Sequence, residues 1–586
     1  MARKLPHVDV VLVGFGWTAA ILAQELTDEG LTVLAIERGA WRDTPTDFPP
    51  TVAPDELRWY WRKEMFQNNA RDTITFRNNR SQTALPMRRW GSFLPGEGVG
   101  GASVHWNGQT WRFLPSDFIA ASHNRERYGE LPEGMTVQDF GVTYAELEPH
   151  FDRFEKLCGI GGKAGNLNGQ IQDGGNPFEG PRSSEYPNPP MHMTFAQHQF
   201  AKATAELGLK PFPGPSANMS RPYTNPLGCQ LGPCSYCGFC EKYGCGNYSK
   251  ASVQTTILPV LIQKPNFTLK THNEVLHVNL DKSRTRATGV RHVDVQGNEY
   301  DQPADLVILC AYQTNNTRLM MLSGIGEIYN PATGQGLVGK NYCYQIMSSA
   351  DVFFEDKYTN EFAGAGALGM VVDEYNGDNF DHSGLGFIGG GYIANWTTNA
   401  RPIESQPVPE GTPSWGSAWK KAMAENFLKA TSVGAHGASM AYANNYLDLD
   451  PTYKDAYGRP LMRMTYDFTP NDVAMSAFLT ERMKEIAERM GGREIKLNLR
   501  DGPYDSMPYQ TTHNTGGTIM GTNPSNSVVN RYLQSWDVPN LFVMGAGVFP
   551  QNAGYNPTGT VAALTYWAAA AIRSQYLRSP GPLVQA

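Results

Sequence analysis

The clearest hydrophobic pattern lies in the first forty residues. VDVVLV (Val8 to Val13) is a nearly continuous apolar run, as expected of a parallel strand buried on both faces. GFGWTA follows, and the spacing predicts a helix from about Trp17 to Glu29 with Gly30 as its C-terminal stop. TVLAIE (Thr32 to Glu37) reads as a second strand. Gly14, Gly16 and Ala19 then stand at the spacing of a dinucleotide fingerprint. Glu37 comes 21 residues after Gly16, where an acidic group can hold a ribose hydroxyl pair. The glycines let backbone approach a pyrophosphate, and the helix N-terminus offers free N–H groups and positive dipole. A phosphorylated ribose would be repelled by Glu37, which disfavours NADP.

Farther along, MTFAQHQFAKATAELG predicts a helix ending at Gly208. ADLVILCAYQTNNTRLMMLSGIG (Ala304 to Gly326) reads as another strand and helix. From Thr469 to Gly491 the apolar residues recur with helical period. Thr469 is the expected N-cap, Pro470 the first helical residue and Gly491 the stop. Met475, Leu479, Met483, Ile486 and Met490 fall on one face, a stripe better suited to core packing than to a cofactor. NLFVMGAGVFP (Asn540 to Pro550) predicts strand and glycine turn, and NPTGTVAALTYWAAAAI opens a helix. Residues 160–190 and 211–233 are rich in Gly, Pro, Asn and Ser and read as long ordered loops. The nucleotide domain is thus expected to draw on both ends of the chain and a middle piece, with a substrate domain inserted between them.

Length and charge narrow the picture. At 586 residues the chain can bury a large core, and a net charge of −7 offers no basic surface for nucleic acid. No apolar run approaches the ~20 residues that span a bilayer. The N-terminus runs directly into the first strand without a cleavable apolar region, so export, if it occurs, is expected to use a partner's signal.

Eight cysteines in a chain of this size do not make a disulfide framework. Four of them lie in CSYCGFCEKYGC, at Cys234, Cys237, Cys240 and Cys245, with Cys229 just before. The spacing C-x2-C-x2-C-x4-C is one residue longer than the bacterial ferredoxin run and lacks its proline. Short spacers let several thiolates converge on one inorganic core. Zinc and disulfides are the alternatives, but zinc knuckles come as two pairs separated by a longer stretch. Iron–sulfur chemistry is the favoured reading. Cys310 reads as a small buried hydrophobe.

Three stretches together resemble the glucose–methanol–choline (GMC) family of FAD oxidoreductases, over essentially the whole chain. They are the opening fingerprint, GEGVGGASVHWNGQTWRF (Gly96 to Phe113), and the C-terminal pair HNTGGTIMG (His513 to Gly521) and GYNPTGT (Gly554 to Thr560). With the cysteine run, the resemblance is greatest to an iron–sulfur branch of gluconate, sugar and polyol dehydrogenases. It implies a mixed α/β fold: a Rossmann-like FAD-binding domain, an inserted substrate domain with a mostly antiparallel sheet, and a cluster-binding loop. The expected division is 1–120, 251–340 and 511–586 for FAD, 121–250 for part of the substrate domain and the cysteine loop, and 341–510 for the rest.

The resemblance implies that His513 is the catalytic base and Asn556 its polar partner, where other members carry histidine. Read alone, His513 would be a satisfied loop histidine. FAD contacts are implied for Gly14, Gly16, Ala19, Glu37, Gly98, Gly100, Gly101, Ser103, His105, Asn107, Val275, Gly545, Ala546, Asn556, Pro557 and Thr558. His105 matches the position that some members join covalently to the flavin; packing without a bond is the alternative. The branch implies a [3Fe–4S] cluster, for which Cys234, Cys240 and Cys245 are the first choice and Cys237 or Cys229 is spare. The implied reaction oxidises the C2 hydroxyl of D-gluconate to 2-keto-D-gluconate; 2-ketogluconate, another aldonate or a polyol are alternative substrates. Electrons are expected to pass through the cluster to a multihaem cytochrome c membrane-anchor subunit and quinone. A small signal-bearing subunit would carry the chain to the periplasmic side of the inner membrane. A soluble oxidase with structural zinc is the different-class alternative. Arg112 is one cation available to meet a carboxylate substrate.

Overall fold

The computed structural model describes residues 2–48, 55–56, 65–88, 93–359, 363–397 and 405–585. Its central sheet is built from segments far apart in the chain. Val8–Val13 pairs in parallel with Val33–Ile36 on one side and with Glu299–Leu309 on the other. Phe267–Lys270 and Leu541–Val543 extend this parallel region at its two ends. Val10 to Val13, Val33 to Ile36 and Leu306 to Leu309 are all buried, because helices cover the sheet. The first half of Glu299–Leu309 instead pairs antiparallel with Ala287–Asp294, which pairs with Asn273–Leu280.

The Trp17–Asp28 helix follows the first strand, and nearly every residue of it is buried. It packs against the Thr558–Ala571 helix, which also covers the Tyr144–Cys158 helix. Three chain regions thus close around the fingerprint.

A second sheet of six strands is antiparallel throughout. Its order is Glu494–Asn498, Met347–Phe353, Ala430–Gly437, Gly391–Trp396, Gly369–Val372, Phe212–Pro213. One face is sealed by the Pro470–Arg489 helix, whose Met475, Leu479, Met483, Ile486 and Met490 belong to a core of their own. The methionine stripe is therefore packing. Thr469 caps that helix: its Oγ1 accepts from the Asp472 amide at 3.2 Å, and Asp472 accepts from the Thr469 amide at 2.9 Å. Such a cap contributes about 1 kcal/mol. The Phe195–Glu206 helix shares the same core through Phe200 and Ala203.

The long segments at 160–190 and 211–233 are mostly loop; besides the edge strand Phe212–Pro213 they hold two-residue strand pairs at Asn166–Leu167 with Gln170–Ile171 and at Tyr223–Thr224 with Gln230–Leu231. The cysteine stretch continues the second of them without helix or strand. It is tied to the rest of the molecule by backbone bonds from Gly238 to Gly364 (3.0 Å) and from Lys242 to His105 (2.8 Å). Among the described residues no helix is long and apolar enough to cross a membrane.

Candidate active site and cysteine centre

A single cavity of about 500 Å³ runs from the fingerprint to the base of the antiparallel sheet. Gly14 turns the chain out of the first strand with φ +87°, and a Cβ there would meet Ala311 Cα and the Cys310 carbonyl at 2.9 Å. Gly16 starts the helix with no side chain capping it, so the helix N-terminus opens onto the cavity. Gly14, Gly16, Glu37, Gly101, Ser103, His105, Asn107, Val275, Gly545, Ala546, Asn556, Pro557 and Thr558 all line this space. Ala19, Gly98 and Gly100 stand behind the lining. Ala19 is packed inside the helix, and Gly98 donates its amide to Glu37. Gly100 donates to the Phe15 carbonyl, and a Cβ there would collide with the Gln254 amide at 2.5 Å. These three shape the walls. The Glu37 carboxylate accepts from the amides of Phe15 (2.9 Å), Gly39 (2.7 Å) and Gly98 (3.2 Å), which fixes it at the cavity's edge.

At the far end, His513 and Asn556 meet. Asn556 Nδ2 lies 3.2 Å from His513 Nε2, and Gln345 Oε1 lies 2.5 Å from Nδ1. Gln345 spends its own amide hydrogens on the Ala553 and Tyr555 carbonyls, so its oxygen faces the histidine. Nδ1 therefore carries the proton and Nε2 is left as the acceptor. Burial, with a smaller contribution from His436, holds His513 well below the ordinary histidine range. The ring is neutral and ready to take a proton. Tyr392 donates to Asn556 Oδ1 at 3.1 Å and lies 3.0 Å from His436 Nδ1. Trp111 stacks on both Tyr392 and Tyr555, with centroids 5.2 and 4.8 Å apart, and makes a rigid floor beneath the pair.

His105 is 5 % exposed, and its Nε2 has no hydrogen-bond partner among the described residues. Burial, helped by the charge of Lys250, lowers this imidazole to about 3, so it too is neutral. A buried unpartnered ring nitrogen on the cavity wall is suited to contact with, or attachment to, a bound group.

Arg112 does not serve the cavity. Its guanidinium, 3 % exposed, is bound at two points by Glu155, at 2.8 Å each, and by Glu148 at 2.9 Å. A cation that sequence reading missed is Arg500. Ser349 pairs with Asn498, which sets Arg500 opposite Met347, and Arg500 Nε donates to the Met347 carbonyl at 3.0 Å. Met347 and Ser349 line the main cavity, while Arg500 lines a smaller one next to it; Gln510 borders both. Gln345, Tyr392 and His436 were also missed.

The cysteine loop gathers its thiols. Burial, and then the other sulfurs, raise Cys240, which senses Cys234, Cys237 and Cys245. Cys234, pushed up to about 12 by burial, senses Cys245 and Cys237 in turn. Cys229 is raised by burial alone and stands apart from the group. All eight cysteines are free thiols. Among the described residues, the group of three potential ligands within 4.8 Å of one another is His7, Asp9 and Asp305, so no three of the sulfurs are that close. A zinc tetrahedron would bring its sulfurs to about 3.8 Å. No three of these sulfurs reach that spacing. Backbone amides point at two sulfurs, Tyr236 to Cys234 and Lys250 to Cys245, each at 3.4 Å.

Glycine fingerprint, split parallel sheet and buried His–Asn pair over one cavity define a flavin oxidoreductase site, and the comparisons give the family. The chain belongs to the GMC oxidoreductases, whose N- and C-terminal family models match residues 217–347 and 441–565. It is 50 % identical over 597 aligned residues to the gluconate 2-dehydrogenase flavoprotein of Pantoea cypripedii, covering 100 % of this chain and 97 % of that one. It is 27 % identical to the fructose dehydrogenase large subunit of Gluconobacter japonicus, covering 98 % of this chain and 99 % of the relative. The crystal structure of pyridoxine 4-oxidase from Mesorbium loti shares the fold, with a TM-score of 0.57 at 16 % identity over 98 % of this chain and 100 % of that one. The protein is therefore an oxidoreductase and a flavoprotein that binds FAD.

Proposed function

We propose that the protein is a dehydrogenase that oxidises the C2 hydroxyl of D-gluconate to 2-keto-D-gluconate and exports the electrons through an iron–sulfur centre. The observation that carries this reading is the His513–Asn556 pair in the same cavity as the dinucleotide fingerprint. When bound, FAD supplies the acceptor for the hydride on the carbinol carbon. His513 Nε2 takes the hydroxyl proton, and the Asn556 amide holds the substrate oxygen in line with it. Gln345 keeps the ring in the tautomer that can accept. Gly14, Gly16, Gly101, Ser103, Gly545 and Ala546 are the residues that would hold the cofactor, with His105 Nε2 as the point of covalent attachment.

The relative from Pantoea cypripedii supports gluconate as substrate. Arg500, half-buried beside the substrate end, gives a sugar carboxylate its counterion. Cys234, Cys237, Cys240 and Cys245 lie near enough to influence one another, and an iron–sulfur core held by them would supply a one-electron exit. Three of them suffice for [3Fe–4S], and Cys229 lies outside the group. Such an exit needs a protein acceptor: a multihaem cytochrome c anchor subunit feeding quinone, with a small signal-bearing subunit, on the periplasmic side of the inner membrane. A relative described as a large subunit supports an assembly of this kind.

The decisive experiment is an anaerobic substrate panel read by flavin bleaching. Gluconate should bleach the flavin; failure with gluconate and success with a neutral polyol would overturn the assignment. Acid-denatured protein should retain its yellow colour, and complete release of flavin would remove the covalent role of His105.

A further inference from the structure

Lys250 sits five residues beyond the last cysteine of the run and is 0 % exposed. Its ammonium donates to three main-chain carbonyls: Trp106 at 2.6 Å, Cys240 at 2.7 Å and Tyr243 at 2.9 Å. All three of its hydrogens are thereby used. One of those carbonyls belongs to a cavity-lining residue and two to the cysteine loop. The adjacent residue repeats the connection, since the His105 carbonyl accepts from the Lys242 amide at 2.8 Å. Lys250 is therefore a strut between the turn that faces the flavin site and the loop that gathers the sulfurs.

The charge requires a separate explanation. Carbonyl dipoles solvate an ammonium but do not neutralise it, and a buried ion without a counterion is strongly unfavourable. Burial by itself lowers the proton affinity of Lys250, and the sulfurs of Cys240, Cys245 and Cys237 offset it only in part. What calls for the charged form is the geometry, since three carbonyls each take a hydrogen that only an ammonium can supply together. The amide of the same residue points at the Cys245 sulfur at 3.4 Å. Neutral thiols provide no counterion, whereas a centre held by thiolates is anionic.

We propose that Lys250 is the fixed countercharge of the cysteine-held centre, binding the flavin-facing turn to the cysteine loop and setting how readily that centre takes an electron. The inference rests on the reading that the cysteines hold an iron–sulfur core. Oxidation of one alcohol releases two electrons, supplied by the substrate by way of the flavin and removed by the cytochrome partner. The centre therefore accepts and passes on one electron twice per turnover. Each arrival adds one negative charge, no covalent bond is made or broken, and the ammonium keeps its proton. A neighbouring positive charge favours the reduced state, so its removal lowers the midpoint potential.

The test compares purified wild type, Lys250→Gln, Lys250→Met and Lys250→Arg by iron and acid-labile sulfide content and by potentiometric titration of the centre's paramagnetic signal. Lys250→Gln keeps two N–H donors without the charge, so it separates charge from hydrogen bonding. Its reduction equilibrium should fall at least tenfold, a drop of about 59 mV for one electron. Lys250→Met should show the same drop or lose its iron, and Lys250→Arg should stay within about threefold of wild type. Wild-type iron content and midpoint in Lys250→Gln would overturn the role of Lys250. Wild-type protein with zinc and no iron would overturn the cluster reading itself, a distinguishable result.

Discussion

Two buried basic groups, His513 and Lys250, stand at opposite ends of the proposed reaction and have contrasting surroundings. His513 is surrounded by amides: Gln345 accepts from one nitrogen, Asn556 faces the other, and among the described residues no carboxylate stabilises a charge on the ring. Lys250 gives three ammonium hydrogens to three carbonyls, and the nearby sulfurs favour its charge against the burial that opposes it. Burial opposes the charged form of both, yet the partners of His513 leave Nε2 without a proton while the three carbonyls around Lys250 call for all its hydrogens. A group that must receive a proton works when its surroundings do not reward the charge beforehand. A group that must steady arriving electrons works when its charge never changes. Burial sets the common direction, and the dipoles placed around each group decide how far it is followed.

This contrast can be broken at several points. The largest effect is expected from His513→Ala, which should slow anaerobic flavin reduction by gluconate about a hundredfold or more, the scale for loss of a general base. An unchanged rate would remove His513 from the chemistry. Arg500→Met should raise KM for gluconate about tenfold or more with little change in kcat, as for loss of a charge-assisted contact made equally in ground and transition states. A neutral polyol should not notice the change, and equal losses on both substrates would show that Arg500 is structural. The smallest and sharpest effect concerns pH. A protonated Nε2 cannot accept, and His513 is held well below 6.5, so the rate of flavin reduction should stay level as pH falls through that value. Gln345→Glu places a carboxylate on Nδ1 and should move the acid limb up by about one unit or more, making the site resemble the charged one. A limb already centred near 6.5 in the wild type would contradict the amide-only environment.

Much of the fold was legible because local pattern and tertiary role agree. The buried run Val8–Val13, its glycine turn and the acidic end of the next strand carry their meaning within forty residues. The Thr469 cap and the methionine stripe likewise lie on one helix. The site was legible only where a motif holds the residue, as with His513 and Asn556. Gln345 acts on His513 from 168 residues away, and Tyr392 reaches Asn556 across 164, through strands whose partners no local spacing announces. Arg500 depends on the register of an edge strand, which a shift of one residue would turn to the other face. Arg112 shows the converse: a suitable residue in a suggestive stretch, committed instead to Glu155. Lys250 left one signal, a solitary base just after a cysteine run, and only its burial gives that signal weight.

The parallel sheet has a consequence for the order of events during synthesis. Its innermost strands are Val8–Val13 and Glu299–Leu309, yet the strand that flanks the latter is Leu541–Val543, and the helix that covers the fingerprint helix is Thr558–Ala571. A nascent chain that has emerged only as far as the antiparallel sheet has no completed wall at Gly545, Ala546 or Asn556. The dinucleotide site is thus unfinished until nearly the whole polypeptide has left the ribosome, and cofactor capture becomes a late step that follows translation rather than guiding it.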